Sequence, residues 1–137
     1  MDLVLTPRGR MQPHRSALIL LALNAGIALA HAAPGDAGRG AGVFDSQCAE
    51  CHSLKEGKNK KGPSLFASFG RKAGTVADFV YSEPMKQSGI VWTADRLAAY
   101  LASPKTVVPG GKMKLDEPIN QQDIADVIAF LAIPRAH

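Results

Sequence analysis

Cys48-Ala49-Glu50-Cys51-His52 contains the only two cysteines among the 137 residues of this chain, two residues apart and followed at once by a histidine. Thiols at that spacing can form thioether bonds to the two vinyl groups of one haem, and the adjacent imidazole then reaches the iron as an axial ligand. The motif therefore implies one covalent, c-type haem held by Cys48 and Cys51, with His52 on the metal.

Other uses of the same residues fit less well. A structural zinc site needs four ligands, usually as two pairs, and no second Cys/His pair exists in the sequence. A thioredoxin-like redox pair belongs beside a strand–helix–strand pattern, whereas the periodic segments here are helical. A disulfide between Cys48 and Cys51 would close a loop too small to stabilise much, and it leaves His52 without a role.

The N-terminus reads as a leader. Arg8, Arg10 and Arg15 precede the uncharged apolar run Ser16–Ala30, and Ala30-His31-Ala32 offers a small-x-small cleavage site. At fifteen residues the run is short against the roughly 20 needed to span a bilayer. The expected division is a signal peptide over 1–32 and one domain over 33–137, with Met11 as an alternative start to the same pattern. Covalent haem attachment outside the cytoplasmic membrane fits export, so the expected compartment is the periplasm. Three of the sixteen basic residues and one of the twelve acidic residues lie before Ala33, which leaves the exported part only slightly basic, at +2. Bulk nucleic-acid binding is not implied.

Gly and Pro divide the domain into three helical stretches. The first covers about Asp36–Gln47 and delivers the haem motif at its end. The second starts at the N-cap Thr93, with Leu97, Tyr100 and Leu101 on one face, and stops at Pro104. The third starts at Asn120, turns Ile124, Val127, Ile128 and Leu131 to one side, and ends before Pro134. Between Ser53 and Trp92 little periodicity appears, and so long a loop in a compact domain needs something other than side chains to fill its core. The expected fold is all-α: a small domain of about three main helices, with loops wrapped around a haem.

The second axial position of the iron has few candidates. His137 is the last residue and Met85 sits in the polar, turn-like Glu83-Pro84-Met85-Lys86. Met113 follows Pro109-Gly110-Gly111, a sequence able to form a tight loop that pushes a thioether at a buried metal. The expected axial pair is His52 and Met113. Lysines gather near both ligands: Lys55, Lys58, Lys60 and Lys61 after the motif, and Lys105, Lys112 and Lys114 around the later turn. Lys58, Lys60, Lys61, Lys105 and Lys112 are the expected docking charges for an acidic redox partner.

With the haem motif near the start of the domain, Gly62-Pro63 after it, Phe69-Gly70-Arg71-Lys72-Ala73-Gly74 and Phe79-Val80-Tyr81, Trp92 in mid-chain, and Pro109–Met113 before a final amphipathic helix, the sequence resembles class I cytochrome c. The likeness runs from about Gly35 to Ala132 and is strongest to the mitochondrial-type branch and its soluble bacterial relatives. It implies that the Pro63 carbonyl orients His52, that Arg71, Tyr81 and Trp92 hold a haem propionate, and that Tyr100 reaches towards the methionine sulfur. It also implies that the first and last helices cross closely at Gly40 and Phe130. Departures are Gly111 for a usual threonine, Leu115 for a partner-facing phenylalanine, Met85 for an asparagine, and a segment after His52 one residue shorter.

The implied activity is one-electron carriage by a monomer, not an enzyme. Its donor would be a membrane cytochrome bc complex, and its acceptor an oxidase, reaction centre or periplasmic reductase. The competing reading is a haem enzyme or gas sensor with a labile or open sixth iron position.

Overall fold

Three polar side chains start the long helices, each by accepting the backbone N–H three residues on. Asp36 Oδ1 caps the Arg39 amide at 2.8 Å, Thr93 Oγ1 the Arg96 amide at 3.3 Å and Asn120 Oδ1 the Asp123 amide at 2.9 Å. Such caps satisfy otherwise unpaired N–H groups, typically for about 1 kcal/mol each. The computed structural model describes residues 34–135, so the expected leader and His137 lie outside the described residues. The elements are α1 (Ala37–Gln47), α2 (Glu83–Gln87), α3 (Ala94–Ala102), α4 (Pro104–Val107) and α5 (Gln121–Leu131).

The architecture of the described residues is all-α, as the sequence implies, with two short helices, α2 and α4, beside the three expected main ones. Pro104 ends α3 as expected and also opens α4, where its missing N–H costs nothing at a helix start. Glu83–Gln87 forms a short helix, with Pro84 again in the first turn and Met85 buried in the core. Five residues are too few for apolar periodicity to announce such an element. The described residues contain no strand, only an isolated antiparallel bridge between Lys72 and Val91.

α1 and α5 form the main helix pair, and α3 packs on α5 and α4. A Cβ on Gly40 would stand 2.0 Å from the Asp126 carbonyl oxygen and 2.8 Å from Phe130 Cβ, so only glycine permits this crossing. Phe44 and Phe130 stack obliquely beside it with ring centroids 5.7 Å apart. Asp126 is buried at 1% exposure and fully engaged. It accepts from Arg39 Nε at 2.7 Å, Arg39 Nη2 at 3.0 Å, the Asp36 amide at 2.7 Å and Gln122 Nε2 at 3.0 Å. The Arg39 hydrogen bonds, then the Asp36 amide, hold its carboxyl well below the usual carboxylate range despite burial.

The buried apolar residues form two clusters. One gathers Phe44, Cys48, Leu101, Ile124, Val127 and Leu131 around the helix pair. The other gathers Ala73, Met85, Tyr100 and Val108 beneath the loops.

Candidate haem-binding site

The haem motif unwinds from the end of α1 in one tight turn. Cys48 is the C-cap, its N–H donating to Phe44 O at 2.9 Å, and the Cys51 and His52 amides both return to Cys48 O, at 3.1 and 2.9 Å. Both thiols and the imidazole thus issue from a single turn. The two cysteines are free, and burial, with the Cys51 charge adding, pushes the Cys48 thiol up to about 11. That shift is opposite in direction to the lowered pKa of a redox-active cysteine.

The chain then folds back on itself. Gly62 N–H donates to Cys51 O at 2.7 Å and Leu65 N–H to Ser53 O at 2.8 Å, which brings Pro63 beside His52. His52 Nδ1 lies 2.8 Å from the Pro63 carbonyl oxygen. A carbonyl can only accept, so Nδ1 carries the proton and the Nε2 lone pair remains available to a metal. Burial lowers the His52 pKa, which keeps the ring neutral as ligation requires. A Cβ on Gly62 would fall 2.4 Å from His52 Cε1, so the glycine is the floor on which the ring rests.

Met113 is the one side chain among the described residues that packs against both core clusters, and it joins Tyr100 and Trp92 around the second. Its neighbours Lys112 and Lys114 are exposed, so the loop turns the thioether inward and the ammonium groups out. Burial pushes the Tyr100 hydroxyl up to about 12, and its ring lies 5.0 Å from that of Trp92. Arg71 and Trp92 are joined through their backbones, Trp92 N–H donating to Arg71 O at 3.0 Å. The Arg71 charge also acts on Tyr81, whose hydroxyl is raised chiefly by burial. Arg71, Tyr81 and Trp92 are therefore gathered in one region. The Arg71 guanidinium spends two donors on main-chain carbonyls, Phe66 O at 2.7 Å and Ser64 O at 3.1 Å.

Several residues that shape the site carry no warning in the sequence. Ser53 Oγ donates to Lys58 O at 2.6 Å and Ser64 Oγ to Lys55 O at 2.6 Å. Asn59 accepts from the Ser64 amide at 2.9 Å and donates to Ala77 O at 3.0 Å. Lys60 and Lys61, two of the expected docking lysines, also reach back to Ala49 O and to the Glu50 carboxylate inside the motif turn. All five expected docking lysines, Lys58, Lys60, Lys61, Lys105 and Lys112, are exposed.

Two thiols and a neutral, oriented imidazole on one turn form the donor set of a covalently attached haem, and the loops that follow supply an apolar surround. A small helical domain built round such a turn defines a monohaem c-type cytochrome. The cytochrome c family profile matches residues 37–132, and this chain belongs to that family, whose members carry one covalent haem c and transfer electrons. It is 46% identical over 98 residues to cytochrome c of Theileria annulata, covering 71% of this chain and 84% of that one. It is 50% identical over 84 residues to cytochrome c2 iso-2 of Magnetospirillum fulvum, covering 61% and 88%. Among solved structures, cytochrome cH from Methylobacterium extorquens superposes with a TM-score of 0.65 at 37% identity, covering 71% of this chain and 97% of that one.

Proposed function

We propose that this protein is a one-electron carrier in which His52 and Met113 would both hold the iron of a covalent haem. The observation that carries the reading is the setting of Met113, lodged where the two core clusters meet while the lysines on either side face solvent. When bound, the haem supplies an iron that alternates between Fe(II) and Fe(III) and so takes up and releases one electron. Two permanent ligands mean that little of the surrounding protein must reorganise, and Met/His ligation raises the potential.

The chain's own residues do the rest. The Pro63 carbonyl fixes the His52 tautomer and ring plane. Arg71, Tyr81 and Trp92 form the polar wall for a propionate, with three guanidinium donors still free after the two main-chain bonds. Tyr100 belongs to the buried cluster that Met113 packs against, and would restrain the thioether from there.

Residues 1–32 act as a cleaved leader and the domain from Ala33 works in the periplasm. Its donor is a membrane cytochrome bc complex and its acceptor an oxidase, reaction centre or periplasmic reductase, met as a monomer in short-lived encounters. The mass of the mature N-terminus tests the cleavage.

Carbon monoxide tests the ligand set. The visible spectrum of the reduced holoprotein should not change on adding the gas, and Met113→Ala should bind it promptly. Prompt binding by the unaltered protein would replace the carrier reading with the open-iron enzyme or sensor, and a variant that stayed closed would remove Met113 as the ligand.

A further inference from the structure

Buried serines in the segment after the haem motif are matched to carbonyls, with one exception. Ser53 Oγ donates to Lys58 O and Ser64 Oγ to Lys55 O, both at 2.6 Å. Ser68 is as thoroughly buried, at 4% exposure, yet its hydroxyl has no hydrogen-bond partner, alone among the buried side-chain polar atoms of the described residues. A buried donor left unpaired is destabilising, whereas alanine would fill nearly the same space without that penalty. A serine here calls for a partner that the polypeptide itself does not supply.

The backbone sets Ser68 beside the residues already assigned to a propionate. Its carbonyl accepts the Arg71 amide at 3.2 Å and closes a turn over residues 68–71. Gly70 N–H donates to Trp92 O and Trp92 N–H to Arg71 O, each at 3.0 Å, which fastens the turn to Trp92. The Arg71 guanidinium folds back along the same loop to Phe66 O and Ser64 O. Phe69, next to Ser68, packs against the cluster that contains Cys48. The turn that carries Ser68 therefore joins the haem-attachment cluster to the Arg71–Trp92 pair. Ala67, just ahead of it, adopts φ 46, a left-handed backbone that a residue with a Cβ rarely takes. The fold thus maintains an unfavourable conformation at the residue leading into Ser68.

Resting on the reading that Arg71, Tyr81 and Trp92 wall a haem propionate, we propose that Ser68 is a fourth member of that wall, its hydroxyl donating to the carboxylate. A carboxylate taken out of water needs several donors. The guanidinium supplies charge, and the hydroxyl supplies a neutral donor that can rotate to an unfilled lone pair. A hydrogen bond to the ionised form keeps the propionate charged to lower pH, so the charge felt by the iron stays constant over a wider range. The other ionisable groups of this region do not titrate in acid: Arg71 stays a cation, and burial raises the Tyr81 and Tyr100 hydroxyls. Lys72, the next residue after Arg71, is exposed.

The test uses reduced, diamagnetic holoprotein whose haem is labelled with carbon-13 at both propionate carboxyls, titrated by NMR from neutral to acid pH. One carboxyl of the unaltered protein should stay ionised well below the ordinary carboxylate range. In Ser68→Ala its proton affinity should rise roughly ten-fold, with the other carboxyl unmoved. The pH at which the reduction potential steps should move upward in the same variant. A purely structural role for Ser68 would alter unfolding and leave both profiles in place. If one carboxyl is held and Ser68→Ala leaves it so, the wall stands and Ser68 alone is overturned. If neither carboxyl is held in the unaltered protein, the propionate wall itself fails, and Ser68's place in it with it.

Discussion

The α1–α5 pair and the loop segment from Ser53 to Trp92 are held together in different ways. The helix pair is closed by its own side chains: Gly40 lets the backbones meet, Phe44 and Phe130 stack, and Asp126 takes four hydrogen bonds. The loop segment has only the five-residue α2 and one β-bridge, buries a few residues such as Phe66, Ala73 and Met85, and is otherwise pinned by scattered backbone bonds and by single side chains to main-chain oxygens, through Ser53, Ser64, Asn59 and Arg71. Such bonds fix the path of a chain but bury little apolar surface, and burial is the dominant favourable contribution to folding. One region is specified by polypeptide alone; the other is shaped to enclose something the polypeptide does not supply.

Removing the attachment should separate the two most sharply. In Cys48→Ser/Cys51→Ser, grown so that no haem is bound, cooperative thermal unfolding should vanish, with residual helicity confined to α1 and α5. Amide exchange read residue by residue checks this, and lasting protection between Ser53 and Trp92 would mean that the loops fold without the haem. Within the holoprotein, Gly40→Val should be the most damaging change to the helix pair. Its side chain would enter the Asp126 carbonyl, and overpacking costs about 1–3 kcal/mol, with a backbone clash of this depth at the upper end. Denaturant unfolding gives the number, and a loss below about 1 kcal/mol would mean that the helices slide apart freely.

Much of this contrast could be read from the sequence. Thr93 and Asn120 announced their helices because capping chemistry is local, and Leu97, Tyr100, Leu101, Ile124, Val127 and Leu131 announced the buried faces through their spacing. The motif announced the attachment chemistry because two thiols and an imidazole at that separation have few other uses. The staples did not show. Ser53, Ser64 and Asn59 look like any loop polar residues until the fold sets a carbonyl opposite each. The pairing of Lys61 with Glu50 also depends on the chain turning back eleven positions later, so a reading of local charge counts Lys61 as free.

The helix pair should also answer to acid. Because the Arg39 hydrogen bonds and the Asp36 amide hold the Asp126 carboxyl below its ordinary value, the folded state favours the carboxylate. That stabilisation is complete above the unfolded value of about 4 and is lost as pH falls from there through the lowered folded value. Asp126→Asn should therefore melt at lower temperature than the unaltered protein near neutrality, and the gap should narrow as the medium is acidified below about pH 4. A gap of constant size across that range would show that the charge on Asp126 is not what joins α1 to α5.

The smallest expected effect has the opposite sign and lies on the same helix. Gly42 stands two residues from Gly40, yet a Cβ built there meets nothing within 4 Å. In an exposed helix interior, alanine is favoured over glycine by up to about 1 kcal/mol, because glycine has more backbone freedom to lose on folding. Gly42→Ala should therefore stabilise the holoprotein by about 0.5–1 kcal/mol in the same denaturant assay that registers a large loss for Gly40→Val. Two glycines on nearly opposite faces of the helix thus serve different ends, one as contact and one as empty surface. A destabilised Gly42→Ala protein would mean that the outer face of α1 is covered, and that the helix pair depends on more than its own side chains.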